Sequence, residues 1–96
     1  MADSLYETAV RTLEDSGASM RCSELTDLLE SLGFTVRDGK LGGHKVFVHD
    51  GLPDFKSGSY NCDHGRNPQI KRPYITKVLR VLREHEDDIK KFLKKR

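Results

Sequence analysis

The spacing of apolar residues changes at Gly33, and that change constrains the fold more than any other feature of the chain. Before it, Leu5, Tyr6, Ala9, Val10 and Leu13, and then Cys22, Leu25, Leu28, Leu29 and Leu32, recur at every third or fourth position. Such spacing lays an apolar stripe along a helix and predicts helices over residues 3–15 and 22–32. Ser16-Gly17 ends the first, and Gly33, which tolerates a left-handed backbone, closes the second. Beyond Gly33 the pattern alternates, with Phe34 and Val36 set against Thr35 and Arg37. This predicts a strand, a turn through 38–43, and a second strand over 44–49 rich in β-branched and aromatic residues. A loop over 51–58 leads to a third short strand at 59–63. Asn67-Pro68 makes a turn, and Pro73, suited to a first helical position, opens a last helix reaching about residue 93. Its stripe is Ile75, Val78, Leu79, Leu82, Ile89 and Leu93. The expected class is α+β, a three-stranded antiparallel sheet with helices on one face. At 96 residues the chain is read as one domain, with residues 1–20 an additional N-terminal helix and 21–93 the core domain.

The parity of the second strand decides what its side chains meet. His44, Val46 and Val48 share one face, and Lys45, Phe47 and His49 the other. If Phe47 points at the helices, His44 lies on the open face of the sheet; the apolar Val46 and Val48 leave the opposite parity open.

Charge is distributed unevenly. Residues 1–30 hold seven acids and two bases, a net −5, whereas the remainder holds 15 bases and eight acids, a net +7. A basic second half favours polyanions such as RNA, and a well-solvated surface is the plainer reading of the same charges. Cys22 and Cys62, outside any C-x-x-C pair and without an apolar leader near Met1, point to a reducing cytoplasm in which no disulfide is required. The apolar runs are a few residues long, too short to span a bilayer.

Three constellations are candidates for chemistry. Gly42-Gly43-His44 joins glycines that let backbone approach a bulky ligand to an imidazole able to exchange protons near neutral pH. In metal-independent RNA cleavage such a base removes the proton of a ribose 2′-hydroxyl, which then attacks the adjacent phosphate. The bland reading is a turn followed by a packed histidine. The second constellation is the basic entry to the last helix, Lys71, Arg72, Lys77, Arg80 and Arg83, with no acid between residues 64 and 83. Arg72, Arg80 and Arg83 fall near one helical face, as expected for phosphate contacts or for a solvated surface. The third is Cys62-Asp63-His64, which with His44, His49 and Cys22 supplies metal-capable side chains. None has zinc-finger spacing, and the isolated histidines are read as polar or RNA-facing positions. His64, at the end of the third strand, is a candidate second proton-transfer group or phosphate contact, and Cys62 a small buried residue.

In order along the chain, Ser23-Glu24-Leu25 to Leu32-Gly33-Phe34, Gly42-Gly43-His44, His64-Gly65 and the basic helix from Lys71 to Leu82 resemble the HicA toxins. The resemblance spans about residues 20 to 85. It implies a double-stranded-RNA-binding-like fold, a helix before a three-stranded sheet and another after it. It also implies a bacterial endoribonuclease that cleaves mRNA without a metal cofactor, inhibits translation, and is held inactive by a HicB antitoxin. By the same resemblance His44 is the catalytic residue. Gly43 stands where the family often has a hydroxyl residue, and Lys45 where a second histidine often follows. The expected RNA contacts are Gly42, Gly43, Lys45, His64, Lys71, Arg72, Lys77 and Arg80. A noncatalytic RNA-binding module reading duplex shape, and a plain interaction domain, are the alternatives.

Overall fold

The computed structural model describes residues 2–95. Helix α1 (Ala2–Asp15) leads to a short strand β1 (Ser19–Arg21) and helix α2 (Cys22–Ser31). Strands β2 (Thr35–Asp38), β3 (His44–Val48) and β4 (Gly58–Asn61) form an antiparallel sheet in that order. Strand β5 (Gln69–Lys71) pairs antiparallel with β1 in a separate two-stranded ladder, and helices α3 (Arg72–Glu84) and α4 (Glu86–Lys95) follow. The α+β class and the three-stranded antiparallel sheet expected from the alternation are present. None of the helices is long and apolar enough to cross a membrane.

Parity resolves in favour of Phe47. Its ring is buried, and the register places Val36 and Gly58 opposite it and Tyr60 opposite Lys45, so these residues share the covered face. The Tyr60 hydroxyl meets the Thr26 hydroxyl of α2 at 2.9 Å, which marks this as the face under the helices. Leu25, Leu29, Ile70, Ile75 and Leu82 complete the core, each fully buried. Each contributes about 1.5–3 kcal/mol by leaving water. His44, Val46, Ser59 and Asn61 lie on the opposite face.

Two expectations about helices and strands are revised. The last helix is not continuous: His85 leaves helical geometry at φ −114°, ψ 22°, and a new helix begins at Glu86. Charge order favours the restart, because Glu86, Asp87 and Asp88 occupy the first turn of α4 and Lys94 and Lys95 the last, each matching the helix dipole. The break lets α4 pack on α1, with Phe92 against His49 at 4.6 Å between ring centroids. The β1–β5 ladder was absent from the sequence reading, where Asn67-Pro68 led straight into helix.

The cysteines are also corrected. Cys22 and Cys62 form a disulfide, Cα to Cα 5.7 Å, tying the first residue of α2 to the residue after β4. Their spacing of 40 residues carries no sign of this, since the two meet only once the sheet has folded under α2. The bond removes the cysteine argument for a reducing compartment. Closing a loop of that length restricts the unfolded chain, so reduction, or Cys22→Ser with Cys62→Ser, is expected to lower unfolding free energy by about 2–4 kcal/mol in denaturant titrations. An unchanged midpoint on reduction would contradict this.

The seam between α1 and the C-terminal helices is sensitive to alkali. The Tyr6 hydroxyl donates to the Leu82 carbonyl oxygen at 3.0 Å, and burial, aided by Glu86, pushes its pKa up to about 12. Lys90 stands over the Tyr6 ring, and its ammonium donates to Glu86 at 2.6 Å and pairs with Glu7 at 3.2 Å, which raises its own pKa. In the unfolded chain Tyr6 ionises near its ordinary 10.0 and in the folded chain only near 12. Stability is therefore lost as pH climbs between those values, by order 2–3 kcal/mol from Tyr6. Lys90 acts with the same sign, its contribution being complete below the ordinary lysine pKa and lost above it. Tyr6→Phe is expected to cost about 1 kcal/mol at neutral pH and to flatten the fall of Tm above pH ~10, measured by thermal melts across alkaline buffers.

Candidate active site

Strand β3 begins at His44, and the turn before it is built to put the imidazole in one place. Gly43 has φ +82°, a left-handed conformation, and its carbonyl accepts the Cys62 amide at 2.7 Å while a Cβ at this position would come 2.5 Å from the Cys62 carbonyl oxygen. Only glycine suits both demands. The His44 amide donates to Leu41 at 3.1 Å, and the His44 carbonyl accepts from Gly39 at 2.8 Å. The His44 ring lies directly over Gly39, where any Cβ would collide with its Cδ2 edge.

The imidazole is half-buried, and its Nδ1 lies 2.7 Å from the Asn61 side-chain oxygen, across the β3–β4 ladder. The Asn61 amide nitrogen in turn donates to the Tyr74 hydroxyl at 2.8 Å, from the first turn of α3. As placed, the side-chain oxygen of Asn61 faces Nδ1, and the tautomer that satisfies this contact carries its proton on Nδ1. That leaves the Nε2 lone pair to take a proton from elsewhere. Nε2 has no hydrogen-bond partner among the described residues. Two exposed cations are tied to the same residues. The Lys77 ammonium lies 5.6 Å from the centroid of the Tyr74 ring, and Arg37 belongs to the same open face through its pairing with Val46.

His49 shows the contrasting case and corrects its reading as a polar, RNA-facing position. It is buried, its Nε2 donates to the Leu32 carbonyl at 3.0 Å, and its Nδ1 accepts the Gly51 amide at 2.9 Å. Phe34 and Phe92 meet its ring edge-on. Both nitrogens are committed to holding the end of α2 against the turn after β3.

The predicted phosphate contacts are dispersed. Arg72 is largely a structural residue: its Nη1 donates to the Leu13 carbonyl at 3.0 Å, with Ser16 and Gly17 oxygens at 3.4 Å, closing the carbonyl end of α1. Arg80 is exposed in a groove between α1 and α3 with Arg83, which Glu14 neutralises. Arg83, within the acid-free run of sequence, thus acquires its counter-charge from α1. Lys71 is exposed and pairs with Asp63 at 3.5 Å. Lys45 lies on the covered face, half-buried and paired with Asp38. His64 is exposed above the turn, its Cε1 at 3.8 Å from where a Gly42 Cβ would stand. Lys77 is the predicted cation that the Asn61–Tyr74 chain links to His44.

Sequence reasoning missed Asn61, Tyr74 and Arg37. Asn61 and Arg37 follow from strand parity once the register is known, whereas Tyr74 shows no signal beyond its place after Pro73. Among the described residues no three His, Cys, Asp or Glu side chains cluster as a metal site. The chain matches no protein-family model, no curated protein and no solved structure.

The packing of His44 over Gly39 is testable. Gly39→Ala is expected to displace the ring from Asn61, shifting the His44 side-chain resonances in NMR spectra while leaving the Phe47 and Tyr60 core signals in place. Unmoved His44 resonances would show that the turn does not position the ring.

Proposed function

We propose that this protein is a metal-independent endoribonuclease of the HicA type, a toxin that cleaves mRNA with His44 as general base. The observation that supports the reading is the contact of His44 Nδ1 with the Asn61 side-chain oxygen, which favours the tautomer with Nε2 as proton acceptor. Apart from the short β5 before α3, the order helix, three antiparallel strands, helix over α2 to α3 is the one that the resemblance implies. His44 begins the second strand of that sheet, the position for which the resemblance implies a catalytic histidine.

Cleavage then proceeds by transfer within the ribose. His44 Nε2 takes the 2′-hydroxyl proton, the freed oxygen bonds to the adjacent phosphorus, and the bond from phosphorus to the 5′-oxygen breaks. Solvent returns a proton to that leaving oxygen. The products are a 2′,3′-cyclic phosphate and a 5′-hydroxyl, with no oxidation or reduction. Lys77 and Arg37 oppose the phosphate charge that builds during attack. Asn61 is a positioning residue and Tyr74 holds Asn61. Phosphate contacts orient the strand without reading its sequence, so selectivity among RNAs is low. The inhibited state on this reading is a complex with a HicB-like antitoxin seated over the open face. The setting is the bacterial cytoplasm, where the Cys22–Cys62 bond has to persist against cellular thiols or be dispensable.

Incubating the protein with RNA in excess chelator tests this. Cleavage yielding cyclic phosphate ends is expected. His44→Gln is expected to reduce the rate by roughly 10²–10⁴-fold. Asn61→Ala is expected to lower it by about 10²-fold with binding retained, because the ring loses its orientation. Binding without cleavage by parent and variants alike would assign a noncatalytic RNA-binding module instead.

A further inference from the structure

Beside His44, on the other side of the Gly42–Gly43 turn, runs a groove that the acid-free helix does not contribute to. One part is lined by Arg21, Ser23, Thr26, Arg66 and Asn67, and the adjoining part by Gly43, His64 and Gly65, with Lys45, Cys22 and Pro68 common to both. The β1–β5 ladder assembles it. Arg21 pairs with Gln69, and the Cys22 amide donates to the Pro68 carbonyl at 2.9 Å, which draws the loop carrying Arg66 against the start of α2. The disulfide lines the second part, and its Cys22 lines both.

The acids of the groove are Asp27 and Asp63, the latter paired with Lys71, and Lys45 is paired with Asp38. Arg21 and Arg66 are exposed, and neither has an ion pair among the described residues. Two guanidinium groups with their donors unspent, neutral hydroxyl and amide donors beside them, and an imidazole where the groove reaches the turn match the requirements of a ribose-phosphate strand. Of the helix α3 cations, Arg72 closes α1, Arg83 is held by Glu14, and Arg80 lies with them in a different groove.

We propose that the RNA strand leaving the scissile phosphate at His44 crosses the Gly42–Gly43 turn beside His64 and lies in this groove, its phosphates held by Arg21 and Arg66. The path rests on the nuclease reading for the position of the scissile bond. The flexible backbone of a single strand can bend over the turn, whereas a duplex, stiff over this length, resists bending across it. The substrate class is therefore single-stranded RNA, and the two arginines, neither in the sequence-predicted set, are its principal anchors.

The test is binding of a fluorescein-labelled single-stranded oligoribonucleotide whose 2′-hydroxyls are methylated, so that the intact protein binds without cleaving. Fluorescence anisotropy across a salt series gives Kd and its salt dependence. Arg21→Gln and Arg66→Gln are each expected to weaken binding and to reduce the slope of log K against log salt by about 0.7. Arg80→Gln with Arg83→Gln is expected to leave the slope unchanged. Both arginines are exposed, and equal melting temperatures confirm that the variants fold. If the α3 pair carries the slope and the groove pair does not, the path is wrong while the nuclease reading stands. Preference for a duplex of the same sequence overturns the path as well. If the parent protein neither binds this oligonucleotide nor cleaves unmodified RNA, both proposals fall together.

Discussion

Alternation along strand β3 is the constraint from which the rest of the molecule follows. Side chains on a strand alternate between faces, so burying Phe47 under the helices obliges His44 to emerge on the other side. A slip by one residue would bury the imidazole and expose the aromatic ring. The register is held by the hairpin turn at one end, where Gly43 meets Cys62, and by the Tyr60 hydroxyl against Thr26 in the interior. The position of the candidate base is thus a by-product of core packing, and the hydrogen bond to Asn61 refines a direction that the sheet has already set.

The histidines at the first residue of β3 and just after its last show how environment divides one side chain into two roles. His49, at the end of the same segment, spends both nitrogens on backbone groups and is enclosed by Phe34 and Phe92. His44 spends one nitrogen on Asn61 and keeps the other available at a half-exposed surface. The difference arises from parity and from what packs over each face. The scaffold around them is braced by long-range ties, the disulfide between α2 and the end of β4 and the Arg72 guanidinium across to α1. Each tie lies beside a groove with cationic side chains, so bracing and surface charge are built from neighbouring residues.

Much of this was legible in the chain itself. Apolar spacing locates α1, α2 and the start of α3, and alternation locates β2 and β3, because burial of one face imposes a period on the sequence. The β1–β5 ladder escaped because each three-residue strand buries a single apolar side chain, Met20 or Ile70, and one residue has no period. The disulfide and the Arg72 contacts join residues 40 and 59 positions apart, distances at which only the folded path brings them together. The break at His85 is visible only as a cluster of acids, which by itself also suits a continuous exposed helix. In the candidate site, His44 stands out by its chemistry and its turn, whereas Asn61 and Tyr74 are ordinary polar residues until the register aligns them. The acid-free run at 64–83 suggested a basic face, and Glu14 and Asp63 partly neutralise it in space.

The central claim is that Asn61 fixes the His44 tautomer, with the proton on Nδ1 and the lone pair on Nε2. Long-range proton–nitrogen correlation NMR on uniformly ¹⁵N-labelled protein, with His44 assigned, reads this directly. The account predicts, in the neutral ring, a protonated Nδ1 and an unprotonated Nε2, with the preference lost in Asn61→Ala. A His44 ring protonated at Nε2, or one exchanging equally between tautomers in the parent protein, would contradict it.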